Sequence, residues 1–345
     1  MTHFTAETRR LQSLSVLRVF AVKSFAMGVR MSFTADPGAS RIRKSCSICN
    51  STNRYSFCSV IDRVRNVPDE QWRISRCRQC GFGWTEPLLS ESEISGYYPA
   101  TYFGELEQRI EQYLSGTLQR SRSWRGETEK VGLVETYVSG GRLLDVGCGD
   151  AKFLWALNPD RWQRVGVEPS SATAELVKRR IAGIELHAGD IFNPALPPGS
   201  FDVITFWHVL EHLPDPEQAL IRAGSLLRHD GMIFISLPGI DSLQASLFRR
   251  NWYGFDDVPR HLCHHSRDSL NLLLDRCGFD IKRHLMFSRR INFHALKHSL
   301  LNWSTDLWAG RILYYALKPL LFGIQFFERI TGRYGIRTVI AQKRI

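Results

Sequence analysis

The chain has 345 residues, a formal net charge of +11, and 43% hydrophobic residues. This length accommodates an α/β core of about 200 to 250 residues together with one or two smaller units. Basic residues outnumber acidic ones by 8 to 2 in residues 1–44 and by 12 to 2 in residues 281–345, whereas the part between them holds 25 basic and 30 acidic residues. The acidic body argues against nucleic acid as a partner there, so an anionic partner should meet the ends of the chain.

Residues 1–40 are predicted to form a basic, disordered tail. Arg18 and Lys23 interrupt the apolar runs, so we do not expect a signal-peptide core in this segment. The composition also suits an amphipathic transit peptide. A further alternative is that translation starts at Met31 and the given sequence extends too far upstream. No catalytic residue is expected in this segment.

Residues 41–85 contain two Cys-x-x-Cys pairs, Cys46 with Cys49 and Cys77 with Cys80. Each pair can point both sulfurs to one side, and four thiolates suit a tetrahedral structural Zn²⁺. The 27 residues between the pairs exceed the usual zinc-ribbon spacing and require a longer hairpin. We therefore predict a four-cysteine, zinc-ribbon-like module, with reduced cysteines or a redox pair as the alternatives. Single cysteines elsewhere indicate a reducing, cytoplasmic compartment.

Residues 86–140 are predicted to be a linker followed by helices that cover a cofactor edge. Tyr97, Tyr98, Tyr102 and Phe103 could line an acceptor pocket or pack between modules.

Residues 142–155 read as a short buried strand, a glycine turn and the start of a helix. Leu143, Leu144 and Val146 form an apolar run too short for a helix, and Gly147 and Gly149 then allow a sharp reversal. Because glycines have no side chains, a nucleotide-type cofactor can approach the main chain of this turn, and the helix N-terminus offers unpaired N–H groups beside it.

Carboxylates around the turn narrow the type of cofactor. Lys152 stands where a dinucleotide fingerprint needs a small residue, which argues against a dehydrogenase. Asp145 precedes Gly147 by two residues, and Glu168 ends the next strand. A carboxylate at that strand end can accept hydrogen bonds from a ribose diol.

Four segments in this order resemble the class I S-adenosylmethionine-dependent methyltransferases of the methyltransferase-domain 23/11 type. They are Leu144 to Gly149, Gly189 to Ile191, Phe201 to Pro216 and Gly231 to Pro238. Ala151 departs from the pattern because a third glycine is common there. The resemblance covers about residues 100 to 290 and implies a cofactor site that contains Asp145, Gly147, Cys148, Gly149, Glu168, Asp190, Ile191 and His208.

The alternation of apolar strands and helical patterns predicts a doubly wound, Rossmann-like α/β fold. Strands are expected near 142–146, 164–168, 184–187, 201–206, 231–236 and 280–287, and helices near 151–157, 171–182, 216–228 and 267–277. The core would span 141–287, and residues 336–345 would add an antiparallel seventh strand.

His208, Glu211 and His212 follow the fourth strand of this core, where the resemblance places the methyl group and its acceptor. A neutral imidazole there could accept a proton from a hydroxyl group. The alternative is that His208 packs on the cofactor and the other two cap the next helix. His208 and His212 are therefore candidate catalytic residues.

Residues 239–268 are predicted to form an acceptor-binding lid that supplies His261 as a third catalytic candidate. The segment Asp257 to His264 resembles a recurring segment of the subfamily. The alternative is a loop anchor in which Arg260 pairs with Asp257. Zinc bound through His261, His264 and His265 is less favoured, because no carboxylate or thiol pattern completes a known ligand set.

Residues 288–335 form an apolar helical insertion before the last strand. The run from Ile312 to Phe327 is broken by Lys318 and Pro319 and is shorter than the roughly 20 residues needed to span a bilayer. Trp303, Trp308 and nearby basic residues are typical of an interfacial helix on an anionic membrane. A helical lid or a dimer contact is the alternative.

We therefore expect a methyltransferase that acts on a small molecule, a sugar or glycan precursor or a lipid-linked intermediate. Zinc ribbons ahead of this methyltransferase type occur in enzymes acting on sugars and cell-surface glycans. The alternatives are a zinc-containing RNA-binding protein or RNA methyltransferase, and a methyltransferase-like module without catalysis.

Overall fold

The computed structural model describes residues 41–65, 67–98, 106–117, 122–304 and 307–344. The described residues form eleven strands: β1 Arg54–Asp62, β2 Val67–Cys77, β3 Gly83–Glu86, β4 Gly141–Val146, β5 Trp162–Glu168, β6 Glu185–Ala188, β7 Phe201–Trp207, β8 Leu227–Pro238, β9 Cys263–His264, β10 Phe279–Leu285 and β11 Ile336–Lys343. The predicted basic tail, together with Tyr102 and Phe103, lies outside the described residues.

Ten α-helices accompany these strands in the described parts of the chain: α1 Glu91–Ser95, α2 Leu106–Leu114, α3 Arg122–Glu135, α4 Lys152–Ala156, α5 Ser171–Arg180, α6 Pro216–Leu226, α7 Leu243–Phe248, α8 Arg267–Arg276, α9 Arg289–Leu301 and α10 Leu307–Thr331. The N-terminus of α6 illustrates how side-chain capping sets where a helix begins. Asp215 accepts a hydrogen bond from the backbone N–H of Gln218, and Pro216 occupies the first turn.

The main sheet has seven strands in the order β10-β11-β8-β7-β4-β5-β6. Strands β4 to β8 pair in parallel, and β11 runs antiparallel to both of its neighbours. The predicted fold class is therefore confirmed, including the antiparallel last strand. In this arrangement the carboxyl ends of β4, β5 and β7 meet at one edge of the sheet, where such folds bind ligands.

A smaller antiparallel sheet has the order β1-β2-β3-β9. Three of its strands come from the N-terminal module, and the fourth, β9, comes from the segment after β8 through the pairs Gly83–His264 and Trp84–Cys263. The side chains of Cys46, Cys77 and Cys80 also pack in a hydrophobic cluster that includes buried side chains of the main sheet. The N-terminal module and the core therefore share both a sheet and a core.

Helices α9 and α10 connect β10 to β11, so both ends of this apolar segment are attached to the main sheet. Among the described residues, no helix combines the length and the hydropathy that crossing a bilayer requires.

Candidate functional site

The turn after β4 has the left-handed backbone that its glycines allow. Gly147 and Gly149 have φ values of 65° and 56°, and the N–H of Cys148 donates to the carbonyl oxygen of Val167 at 3.0 Å. Ala151 also lies in the left-handed region, with a φ of 57°. This backbone explains why a glycine is common at the position of Ala151, since a Cβ disfavours such a conformation by about 1–2 kcal/mol.

Glu168, at the end of β5, points into this turn. Its Oε2 accepts from the backbone N–H of Gly149 at 3.0 Å, and its Oε1 accepts from that of Ser170 at 2.9 Å. Burial raises the pKa of Glu168 to about 7, although these two N–H donors oppose the rise. Each carboxylate oxygen keeps a second lone pair that a ribose hydroxyl could use.

Asp145, one residue before the end of β4, lies under the same turn. Its Oδ1 accepts from the hydroxyl of Thr205 on β7 at 2.6 Å. Its Oδ2 is buried and has no hydrogen-bond partner among the described residues. Burial raises the pKa of Asp145 to about 7, although the Thr205 hydroxyl opposes the rise. An unsatisfied buried carboxylate oxygen is costly unless a ligand completes it.

Asp190 and Ile191 follow β6, at the same edge of the sheet. The N–H of Gly189 donates to the carbonyl oxygen of Glu168 at 3.0 Å, which ties this loop to the turn. Oδ1 of Asp190 accepts from the N–H of Phe192 at 2.8 Å, and burial raises the pKa of Asp190. The eight predicted cofactor residues thus lie at or just after the carboxyl ends of β4 to β7, and their role in binding stays a prediction.

Helix α2 lies in the segment expected to supply covering helices, and it contacts the turn through two side chains that the sequence did not single out. The hydroxyl of Tyr113 donates to the carbonyl oxygen of Asp150 at 2.6 Å, and Arg109 lies 3.8 Å from the carboxylate of Asp150. Tyr113 is fully buried. The sequence signals for this contact are limited to Asp150, the acid after Gly149, and to Tyr113 in an amphipathic helix.

His208 is the first residue after β7, and it has a φ of 59°. Its N–H donates to the carbonyl oxygen of Ser236 at 2.8 Å, and its Nδ1 lies 3.2 Å from Oε1 of Glu211. Its side chain is 16% exposed, whereas that of Glu211 is 2% exposed. The imidazole is thus held by the carboxylate while one edge of the ring reaches solvent.

His212 and His261 lie together although they are far apart in the chain. Their ring centroids are 4.6 Å apart in an edge-to-face arrangement. Nδ1 of His212 lies 3.1 Å from the carbonyl oxygen of Arg260, and Nδ1 of His261 lies 2.8 Å from that of Gly254. All three predicted catalytic histidines therefore surround Glu211, whose Oε1 is 3.9 Å from Nε2 of His261.

His264 and His265 do not join His261 as metal ligands. Nε2 of His264 lies 3.0 Å from the hydroxyl of Thr85, and the ring of His265 packs 5.1 Å from that of Phe82. Among the described residues, the two groups with metal-ligand spacing are the four N-terminal cysteines and the set Glu211, His212 and His261.

The four cysteines form one cluster with sulfur atoms within 4.8 Å of one another. The Sγ atoms of Cys46 and Cys80 are 3.5 Å apart, as are those of Cys49 and Cys77. Four sulfurs around a tetrahedral Zn²⁺ would be about 3.8 Å apart, so the donors fit this ion. Backbone N–H groups also donate to Cys46 and Cys77, each from two residues further on. Such contacts support metal-bound thiolates.

Comparisons with known proteins identify a methyltransferase domain in this chain. Residues 116–284 match the family model described as a methyltransferase domain. A ubiquinone biosynthesis O-methyltransferase of Albidiferax ferrireducens is 30% identical over 112 residues, which cover 29% of this chain and 42% of that protein. An uncharacterized 37.1 kDa protein in transposon TN4556 of Streptomyces fradiae is 34% identical over 111 residues, which cover 30% of this chain and 32% of that protein.

Among solved structures, a putative sarcosine dimethylglycine methyltransferase from Galdieria sulphuraria is 16% identical, with a TM-score of 0.46 over 65% of this chain and 88% of that chain. The matches to the two curated relatives span less than half of the length of each.

Proposed function

This chain carries a class I S-adenosylmethionine-dependent methyltransferase domain, and we propose that it methylates a small molecule, a sugar or glycan precursor or a lipid-linked intermediate. The observation that carries the proposal is the pair of buried carboxylates at the glycine turn. Oδ2 of Asp145 lacks a partner among the described residues, and Glu168 is fixed against the N–H of Gly149.

The residues at the turn have distinct proposed roles toward the cofactor. Glu168 would accept hydrogen bonds from the ribose diol, and Asp190 would accept one from the adenine amino group. Gly147, Cys148 and Gly149 would give the ligand access to the main chain, with Ile191 as an apolar wall. When bound, S-adenosylmethionine supplies a methyl group on a positively charged sulfur, an electrophile that needs no further activation.

The acceptor is proposed to lie at the end of β7. Among the three candidate histidines, we assign the role of proton acceptor to His208, because its side chain is the most exposed, at 16% against 7% for His261. The carboxylate of Glu211 orients its ring. Methyl transfer depends first on alignment of the acceptor, so the base is expected to contribute less than positioning does.

The surface of α10 supports a membrane-associated acceptor. Six apolar residues three, four or seven positions apart share one face of this helix, and each is more than half exposed: Trp308, Ile312, Tyr315, Phe322, Phe326 and Ile330. The opposite face, with Leu321, Gln325 and Glu328, is buried against the body.

Exposed Arg311 and Arg329 flank the apolar face of α10. We therefore propose that α10 lies in the interface of an anionic membrane, at its cytoplasmic side. An apolar stripe beside basic residues is the pattern that such surfaces bind.

Labelled S-adenosylmethionine tests the proposed activity. The full chain would be incubated with nucleotide sugars, glycans and lipid-linked sugars, and methylated product would be followed by mass spectrometry. His208→Gln should lower the turnover more than it weakens cofactor binding, whereas His229→Gln, at an exposed position, should change neither. Transfer to RNA alone, with binding that weakens steeply as salt rises, would favour the RNA-directed alternative. No transfer to any acceptor would contradict the proposal.

A further inference from the structure

Glu211, His212 and His261 form a compact set of oxygen and nitrogen donors. One carboxylate oxygen and one nitrogen from each ring lie within 4.8 Å of one another. Each of the three residues is at most 7% exposed. The set is distinct from the four cysteines, which lie in the N-terminal module.

The hydrogen bonds of the two rings fix which nitrogen carries the proton. Nδ1 of His212 and Nδ1 of His261 each face a backbone carbonyl oxygen, at 3.1 Å and 2.8 Å. Carbonyl oxygens only accept, so each Nδ1 donates and each Nε2 presents a lone pair. Metal-bound histidines commonly donate their other N–H to a backbone carbonyl in this way.

Glu211 brings a buried carboxylate with one unsatisfied oxygen to the same place. Its Oε1 lies 3.2 Å from His208, whereas its Oε2 is buried with no hydrogen-bond partner among the described residues. The guanidinium of Arg260, which precedes His261 in the chain, pairs instead with Asp62 at 3.1 Å and with Asp257 at 3.5 Å. A buried carboxylate in this position needs a cation.

We propose that Glu211, His212 and His261 bind a divalent transition-metal ion of the zinc class. Two imidazoles and one carboxylate are a ligand set that Zn²⁺ and its neighbours favour, whereas Mg²⁺ and Ca²⁺ prefer oxygen donors. Donor atoms at about 2.0–2.2 Å from Zn²⁺ are about 3.4 Å apart in a tetrahedron, so the site must contract slightly as it binds. Three protein ligands leave one position open.

The proposed metal site lies beside the proposed acceptor site, so the ion could contact the acceptor. Glu211 and His212 lie on the 3-10 turn Leu210–His212, directly after β7 and His208. If the proposed methyl transfer holds, on which this step rests, the open position would take an oxygen of the acceptor beside His208. The ion would then select acceptors that offer an oxygen donor and would orient them.

Metal stoichiometry of the full-length chain tests the site without any cofactor. The chain would be saturated with Zn²⁺ and desalted, and metal per chain would be measured by mass spectrometry. The wild type should hold two equivalents. His261→Gln, whose amide can still donate to the carbonyl of Gly254, should hold one, and His229→Gln should hold two. With Co²⁺ in place of Zn²⁺, the wild type and His261→Gln should show the same thiolate-to-metal charge-transfer absorption, because the ion that the variant loses has no thiolate ligand.

One equivalent in the wild type, with thiolate-to-metal charge transfer, would overturn the proposal, and so would two equivalents in folded His261→Gln. The wild-type count decides the matter even if that variant does not fold. A chain that holds two metal ions but does not bind S-adenosylmethionine would contradict the proposed function and leave the metal site standing.

Discussion

Arg260 and Asp62 form a fully buried ion pair across 198 residues of sequence. Nη2 of Arg260 lies 3.1 Å from Oδ1 of Asp62, and its Nη1 lies 3.3 Å from Oδ2. Both side chains are 0% exposed. Asp62 ends β1, and Arg260 directly precedes His261, so this pair fastens the N-terminal sheet to the loop that carries a candidate site residue.

Asp62→Asn should destabilise the protein by about 3 kcal/mol, because removal of one partner leaves the buried guanidinium incompletely compensated. The free energy of unfolding would be measured by urea denaturation. Asp230→Asn, at an exposed position, is the matched control and should change little. A loss below about 1 kcal/mol for Asp62→Asn would show that the pair contributes no more than a surface contact.

Cys80→Ser should remove the tetrathiolate metal and lower the melting temperature of the whole chain. The hydroxyl of Ser266 donates to the carbonyl oxygen of Cys80 at 2.6 Å, and β9 completes the small sheet, so the two parts should unfold together. Cobalt absorption and calorimetry would follow the two effects. Cys58→Ser, outside the cluster, should keep the metal. A separate low-temperature transition, with the main transition unchanged, would argue against coupling.

Phe326→Glu should weaken binding to vesicles that contain phosphatidylglycerol, because it places a charge in the exposed apolar face of α10. Co-sedimentation would measure the bound fraction, and added salt should lower it for the wild type. Leu272→Glu replaces an exposed leucine on α8 and should bind as the wild type does. Failure of the wild type to bind, together with dimerisation that Phe326→Glu abolishes, would assign this face to a second copy of the chain.

The affinity for S-adenosylmethionine should rise with pH through about 7. Burial raises the pKa of Glu168 and of Asp145 to about 7, so both are largely protonated in the free protein below that pH. The positively charged sulfonium favours the ionised carboxylates, so the bound state holds fewer protons and binding releases them. Titration calorimetry in two buffers of different ionisation enthalpy measures that release. Proton uptake, or an affinity that does not change with pH in this range, would contradict it.

The main sheet could be predicted because its strands are short apolar runs that end in glycines or acids. Leu143 to Val146, which Gly147 follows, and Val165 to Glu168 show this pattern, and both lie in strands close to the predicted ranges. The prediction failed where pairing does not depend on apolar side chains. Strand β8 begins at Leu227 rather than near 231, because its backbone pairs with Phe201 while the next three residues remain exposed.

Contacts between residues far apart in the chain could not be predicted from the sequence for a different reason. The sequence suggests a pairing of Arg260 with Asp257 because they are three residues apart, whereas the shorter contact of Arg260 is with Asp62. Strand β9 has only two residues, too few for any periodic pattern. The set of Glu211, His212 and His261 likewise forms only when the loop after β8 folds back on the turn after β7.

Equilibrium binding of S-adenosylmethionine at about pH 8, where Glu168 is ionised, tests the account most directly. The wild-type chain should bind one molecule, and Glu168→Gln should bind at least about tenfold more weakly, since hydrogen bonds to a charged group contribute about 1.5–3 kcal/mol. Glu185→Gln, at a half-exposed carboxylate on β6, should bind as the wild type does. No binding by the wild type, or undiminished binding by a folded Glu168→Gln variant, would contradict the assignment of the turn after β4 as the cofactor site.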